Sequence, residues 1–287
     1  MSYCKVCNSN KGKNFKKQNF FYFKCCFCKT ISMNPEPSEK QIIGHYNKKI
    51  IDGNYELMQR FDKAVIKVYE QFIKIIKKNL KKDKKLLRDT NLLDIGCFTG
   101  DFLCLANQEG ATVKGYELQK EAVEIANKKL PGKIHQVSVF NDEIKQEQFD
   151  IITLFGVLEH VLEPLELLKR IKSLLKKDGY LFIQTPNSGS IVSTIMGRSW
   201  PPISPIEHIH LFSKNYLTKW INEQNLEILN VYNHWKYLPI EYVYENLSNF
   251  GPDIKKIIKP FYLLLPNFIK RQFLPFYGGE MILVIKK

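Results

Sequence analysis

Apolar and polar residues fall along this chain in blocks, and the period within each block sets what it can form. Between Arg60 and Leu80, the positions Phe61, Ala64, Val65, Val68, Phe72, Ile75 and Ile76 recur every three or four residues, which predicts one amphipathic helix. From Asn91 onward the pattern changes. Short apolar runs at Leu92–Ile95, Thr112–Tyr116, Lys133–Val137, Asp150–Phe155, Gly179–Gln184, Glu227–Tyr232 and Met281–Ile285 read as strands, and stretches between them such as Pro164–Leu175 keep the helical period. Strands alternating with helices predict a doubly wound α/β fold with a mainly parallel seven-stranded sheet covered on both faces. Its ligands belong at the carboxyl ends of the strands.

The first part of the chain follows different rules. Residues 1–34 hold Cys4, Cys7, Cys25, Cys26 and Cys28 among Lys and Phe, with a hairpin expected over Asn14–Lys24. Cys4-x2-Cys7 and Cys25-x2-Cys28 have the spacing of two knuckles that together hold one zinc ion. A segment this short has little core without a metal, so the expected organisation is a zinc ribbon at 1–34, a helical segment at 35–90 and the α/β domain at 91–287. With all four positions taken by thiolates the zinc is structural, and Cys26 is a bystander. The N-terminus shows no apolar leader with a cleavage site, so disulfides are disfavoured and a cytoplasmic location is expected.

Charge changes this picture only a little. The 287 residues carry a net charge of +14, which permits a polyanionic partner such as RNA, a phospholipid surface or a sugar nucleotide. Only Arg60, Arg88, Arg170, Arg198 and Arg271 supply guanidinium forks, and the predominance of Lys argues against selection for phosphate recognition. No apolar run reaches the roughly 18 residues of a membrane span. The insertion at about 237–277 mixes Lys255, Lys256, Lys259, Lys270 and Arg271 with Phe261, Tyr262, Leu263–Leu265, Phe268, Ile269 and Phe273. That mixture suits a peripheral contact with the inner membrane surface or a lid over a greasy acceptor, a packing insertion or dimer contact being the plain alternative. Pro260 and Pro266 are expected to break any long helix there.

Candidate chemistry begins where the first strand of the α/β domain ends. Leu92-Leu93-Asp94-Ile95-Gly96-Cys97-Phe98-Thr99-Gly100 is an apolar strand running into a glycine turn ahead of a helix. Gly96 and Gly100 allow a tight turn and the close approach of a ligand. A dinucleotide fingerprint would need glycine where Phe98 and Asp101 stand, and no phosphate-binding GxxxxGK[ST] loop exists, so NAD, FAD and ATP are not the expected partners of this turn. The turn resembles motif I of class I S-adenosylmethionine (SAM) methyltransferases, from which Phe98 departs where glycine is usual. That resemblance implies SAM as cofactor, with Asp94 orienting the turn and the methionine end, Gly96, Cys97 and Gly100 flanking the donor, and Glu117, with Leu118 beside it, at the ribose. The fourth strand and its exit, Phe149-Asp150-Ile151-Ile152 to Leu158-Glu159-His160-Val161-Leu162-Glu163-Pro164, resemble the FDxI…LEHVxxP signature of small-molecule methyltransferases. Phe155, Glu159 and His160 are the wall this implies. Asn141, Asp142 and Glu143 are candidates for the adenine contact, with a surface turn equally open for each.

Further along come Thr185-Pro186-Asn187, Trp200 and Glu207-His208-Ile209-His210. With the cysteine knuckles, this order resembles bacterial methyltransferases that join an N-terminal zinc ribbon to a class I SAM domain, many of which act on sugars of capsule, lipopolysaccharide or antibiotic pathways. An acceptor hydroxyl or C–H must lose a proton, and His titrates in the useful range. His208 is therefore the expected base, His210 its substitute and Glu207 the group orienting the imidazole, with bracing of a loop as the other role for both histidines. Tyr46 and Tyr55 are candidates to cover cofactor or acceptor. An RNA methyltransferase and a non-catalytic SAM-fold scaffold stand as alternatives to the small-molecule enzyme. The ribbon lacks Arg, which weighs against the first, and the intact turn and Glu117 weigh against the second.

Overall fold

The computed structural model describes residues 3–38, 40–42, 44–45, 62–141, 148–245, 247 and 252–287, and the side chains of 62–64 and 252–254 are not among them. Tyr46, Tyr55, Asp142 and Glu143 lie outside the described residues, as do the side chains of Phe61 and Ala64. The chain divides into two compact units: residues 1–68, 186–213 and 233–280 form the first, and residues 69–185, 214–232 and 281–287 the second.

The second unit carries the α/β sheet. Its strands are β4 (Asn91–Ile95), β5 (Thr112–Glu117), β6 (Ile134–Gln136), β7 (Phe149–Phe155), β8 (Leu175–Pro186), β10 (Glu227–Pro239) and β11 (Phe273–Lys286), in the spatial order β10-β11-β8-β7-β4-β5-β6. The inner pairs β4–β5, β4–β7, β5–β6 and β7–β8 are all parallel, so the order reverses beside β4 as in a doubly wound sheet. Strands β4, β7 and β8 are buried over nearly their whole length, which is why they read as unbroken apolar runs. Helices α1 (Asp62–Lys82), α2 (Asp101–Gln108), α3 (Lys120–Lys129), α4 (Pro164–Leu174) and α6 (Lys214–Glu223) complete the alternation. Phe72, Ile73, Ile76 and Leu80 form the buried stripe of α1; Phe72 and Ile76 belong to the sequence pattern, and Ile73 and Leu80 extend it.

The first unit is built on a four-stranded sheet of order β1-β2-β3-β9, from β1 (Gly12–Lys17), β2 (Phe20–Cys25), β3 (Ile31–Met33) and β9 (His210–Leu211). The expected hairpin is present as β1–β2. The ribbon does not stand alone, because β9 pairs with β3 through Ile31–Leu211 and Ser32–His210. Around this sheet Tyr22, Ile31, Met33, Trp200, Ile203 and Leu211 make one apolar core, edged by Val192 and Met196 of α5 (Ile191–Met196). Trp200 is fully buried and donates its indole N–H to the Gly278 carbonyl at 2.8 Å. The same unit holds α7 (Ile240–Glu245), α8 (Pro252–Leu264) and α9 (Asn267–Lys270). Pro260 lies inside α8 rather than ending it, while Pro266 does separate α8 from α9. Strands β10 and β11 run well past the Glu227–Tyr232 and Met281–Ile285 seen in the pattern, because their additional residues mix polar and aromatic positions and are held by each other as neighbours rather than by a continuous apolar run.

One polar group stands out in the sheet core. Asp94 on β4 is only 4% exposed, and its Oδ1 accepts the Thr153 hydroxyl of β7 at 2.7 Å. Burial pushes its carboxyl up from the ordinary 3.8 to about 7; the Thr153 hydrogen bond opposes the shift and the Glu117 charge adds to it. A raised carboxyl keeps its proton in the folded chain over a range where the unfolded chain has lost it. Stability is therefore expected to fall as pH rises from about 4 to about 7, then to level off with a buried charge in place. Asp94→Asn removes this dependence, so denaturant melts across that range should show the variant gaining on the native protein by about 2–4 kcal/mol. A constant difference between the two at all pH values would contradict the assignment.

Candidate cofactor and acceptor site

At the carboxyl end of β4 the backbone turns through three left-handed residues: Gly96 at φ +70°, Phe98 at +47° and Gly100 at +74°. A Cβ on Gly96 would lie 2.5 Å from Cγ2 of Val157, and one on Gly115 of β5 would lie 2.6 Å from Sγ of Cys97, so both positions must stay bare for the turn to close. Phe98 takes the left-handed conformation without being glycine, which costs about 1–2 kcal/mol. Glu117 offsets that cost. Its Oε2 accepts the Phe98 N–H at 2.9 Å, while Oε1 accepts the Leu118 and Gln119 N–H groups at 2.7 and 2.9 Å. One carboxylate at the end of β5 thereby fixes the turn after β4 and the start of α3. Carboxylate oxygens hold about four acceptor positions between them, and the three amides leave room for a ligand hydroxyl.

The other residues expected at the cofactor also lie in the second unit. Cys97 is buried, and burial first, then the Asp94 and Glu117 charges, push its thiol well above the usual range, so it is an inert wall. Leu118 turns its side chain outward, 67% exposed, as an apolar surface at the strand end. Phe155, at the end of β7, packs on Phe72 and Phe102 with centroids 4.0 and 5.0 Å away. Glu159 is buried in the short turn Leu158–His160, with Oε2 accepting the Thr185 hydroxyl at 2.9 Å and Oε1 4.0 Å from Nε2 of His160. Asn141 gives its carbonyl to Nη2 of Arg170 at 3.0 Å.

Three roles in this region escaped the sequence reading. Thr153 and Thr185 are the hydroxyls that hold Asp94 and Glu159; the available signal was a hydroxyl among the few polar residues of the buried runs FDIITLF and LFIQTP. Tyr69 of α1 is the third. Its phenol is held above the usual range by burial and then by the charges of Asp94 and Asp101, which places it beside the turn.

In the first unit, Sγ of Cys4 lies 3.5 Å from Sγ of Cys28, and that of Cys7 lies 3.6 Å from that of Cys25. All four sulfurs fall within 4.8 Å of one another. Tetrahedral zinc with bonds of about 2.3 Å needs sulfurs roughly 3.8 Å apart, so the set fits the ion. The Phe27 and Cys28 N–H groups point at Sγ of Cys25, as donors to a thiolate would. Cys26 is exposed and takes no part.

The Glu207–His210 segment is also within this unit. His208 places Nδ1 2.6 Å from the Pro202 carbonyl, an acceptor only, so the neutral ring carries its proton on Nδ1 and its lone pair on Nε2. Glu207, expected to orient that ring, accepts the Ser204 hydroxyl at 2.8 Å, and the Pro202 carbonyl is one group that holds the ring. His210 is 1% exposed on β9, with Nδ1 3.0 Å from the Ser32 hydroxyl and Nε2 3.6 Å from Glu36.

Comparison with known proteins agrees with the turn. A family model described as a methyltransferase domain matches residues 61–231, more than half of the chain. A ubiquinone biosynthesis O-methyltransferase of Pelagibacter ubique is 33% identical over 193 residues, which span 57% of this chain and 78% of that protein. Magnesium protoporphyrin IX methyltransferase of Synechocystis PCC 6803, solved with bound S-adenosylhomocysteine, superposes with a TM-score of 0.50 at 15% identity, covering 78% of this chain and 86% of that one. A candidate methyltransferase of Bacillus halodurans gives the same TM-score at 17% identity, over 73% of this chain and 97% of its own. The matched span contains both the turn at Gly96–Gly100 and its Glu117 clasp, and this chain belongs to the methyltransferase-domain family as a SAM-dependent methyltransferase.

Proposed function

We propose that this chain methylates a hydroxyl oxygen of a small-molecule acceptor, with His208 as the base. The observation that carries the reading is the His208 tautomer: with the ring proton on Nδ1, held at 2.6 Å by the Pro202 carbonyl, Nε2 is the basic nitrogen of the imidazole. SAM, when bound, supplies a methyl group on a sulfonium centre. The residues that would hold it are Asp94, Gly96, Cys97 and Gly100 at the turn, Glu117 and Leu118 at the ribose end, and Phe155, Glu159 and His160 as the wall. Protein groups have then to align the acceptor and take its proton. His210, buried against Ser32 and Glu36, serves as a brace instead of a base.

For the acceptor, the motif order supports a sugar hydroxyl, nucleotide- or lipid-linked. A hydroxylated ring is the second reading, favoured by the Pelagibacter relative, an O-methyltransferase of ubiquinone biosynthesis. Methyl-labelled SAM offered with nucleotide sugars, lipid-linked glycans, catechols and RNA distinguishes them. Label in a sugar fraction supports the first reading, label in catechols the second, and label in RNA alone would overturn both. The four cysteines Cys4, Cys7, Cys25 and Cys28 are further proposed to hold one structural zinc.

His208→Ala is expected to lower turnover by about 10²–10⁴-fold, the range of general-base catalysis, with SAM affinity nearly unchanged. Its pH–rate profile should lose the limb on which the native rate rises with pH. A variant turning over at the native rate with an unaltered profile would remove His208 from catalysis.

Metal analysis of the purified protein should find about one zinc per chain, lost in Cys28→Ser and kept in Cys26→Ser. The reverse pattern would show that the wrong sulfur has been assigned.

A further inference from the structure

The segment between β10 and β11 carries an amphipathic helix turned the wrong way round. On α8, Ile257, Phe261 and Leu264 recur at the spacing of one face. Such a stripe ordinarily faces a core. In this protein Ile257, Phe261, Leu263, Leu264 and, on α9, Phe268 are between 62% and 82% exposed. The helix is held from its other side, where Tyr262 stacks on Tyr244 of α7 with centroids 3.8 Å apart and rings inclined by 4°. Lys270 caps that stack, its Nζ 4.8 Å from the Tyr262 centroid, and Lys255 lies over Tyr244 at 5.3 Å. The apolar stripe is therefore presented by a packed scaffold.

The segment that carries the stripe is basic. Residues 252–274 contain Lys255, Lys256, Lys259, Lys270 and Arg271 against the single acid Asp253. Nearby acids, Glu241 and Glu245, sit on α7 around Tyr262, on the side away from the stripe. A second copy of the chain would set these cations against their own like, which opposes self-association through this face. Nucleic acid would satisfy the cations but leave Ile257, Leu263 and Leu264 with no apolar partner. An anionic bilayer satisfies both at once: headgroup phosphates meet the ammonium and guanidinium groups while the aliphatic and aromatic side chains enter the acyl boundary. We propose that residues 252–274 form a docking face for an anionic phospholipid surface. Among the described residues no helix is long and apolar enough to cross a membrane, so the attachment is peripheral and reversible. It is independent of which acceptor is methylated.

Vesicle co-sedimentation of the full chain tests this. Native protein should pellet with phosphatidylcholine vesicles containing about one-third phosphatidylglycerol, weakly with pure phosphatidylcholine, and less as salt rises. Phe261→Ser with Leu264→Ser should weaken binding to the anionic vesicles about tenfold or more, through lost acyl contact. Lys259→Glu with Arg271→Glu should do the same by removing and reversing charge. All four side chains are exposed, and S-adenosylhomocysteine binding by each variant checks that it has folded. No sedimentation of native protein with anionic vesicles, or equal sedimentation of native and Phe261→Ser/Leu264→Ser protein, would overturn the proposal. So would a native dimer that both variants convert to monomer while vesicle binding stays unchanged.

Discussion

The contact on which the cofactor end of this protein depends is the hydrogen bond from the Phe98 amide to the Glu117 carboxylate. Without it, a bulky residue would be held left-handed in the middle of a turn with nothing to offset the strain. With it, the end of β5 and the turn after β4 become one rigid piece. Gly115, whose bare Cα admits the Cys97 sulfur, lets the two strands lie close enough for the bond to form. The same carboxylate then takes the amides that open α3. A charge-assisted acceptor in a place shielded from water is well suited to this clasp, and it explains how a methyltransferase turn closes around phenylalanine where glycine is usual.

Much of this could be read from the chain because it is local. The strands of the parallel sheet are continuous apolar runs, the turn is a spacing of two glycines, and the cysteine knuckles are a spacing of sulfurs. What escaped was set by residues distant in sequence. No local pattern says that β9, a two-residue strand, completes the ribbon sheet at Ile31 and Ser32, since two residues carry no period. His208 and its neighbour Glu207 suggested a paired acid and imidazole, yet a backbone carbonyl, invisible to residue type, holds the ring. Thr153 and Thr185 are ordinary strand residues until the carboxylates they serve are placed beside them. Pro260 reads as a helix breaker, yet α8 continues past it to Leu264, because losing one backbone N–H donor does not end a helix by itself.

The two units divide the labour by chemistry. In the second, buried carboxylates at Asp94, Glu117 and Glu159 are each held by hydroxyl or amide donors, so acidic groups persist in an apolar sheet. In the first, sulfur takes that part. Ser213 donates to the Cys28 carbonyl at 2.6 Å and Ser188 to that of Lys29 at 2.8 Å, so the second knuckle is tied to the segment that carries His208 and His210. If the proposed zinc is bound there, its loss would loosen that segment as well as the ribbon.

The clasp is tested most directly by titrating S-adenosylhomocysteine into native protein and Glu117→Ala by calorimetry, with NAD as the control ligand. The native chain should bind S-adenosylhomocysteine and not NAD. The variant should lose about 1.5–3 kcal/mol of binding, the worth of hydrogen bonds to a charged group, since both the turn and the proposed ribose acceptor go with the carboxylate. Equal affinity in the two proteins would contradict the central role of Glu117.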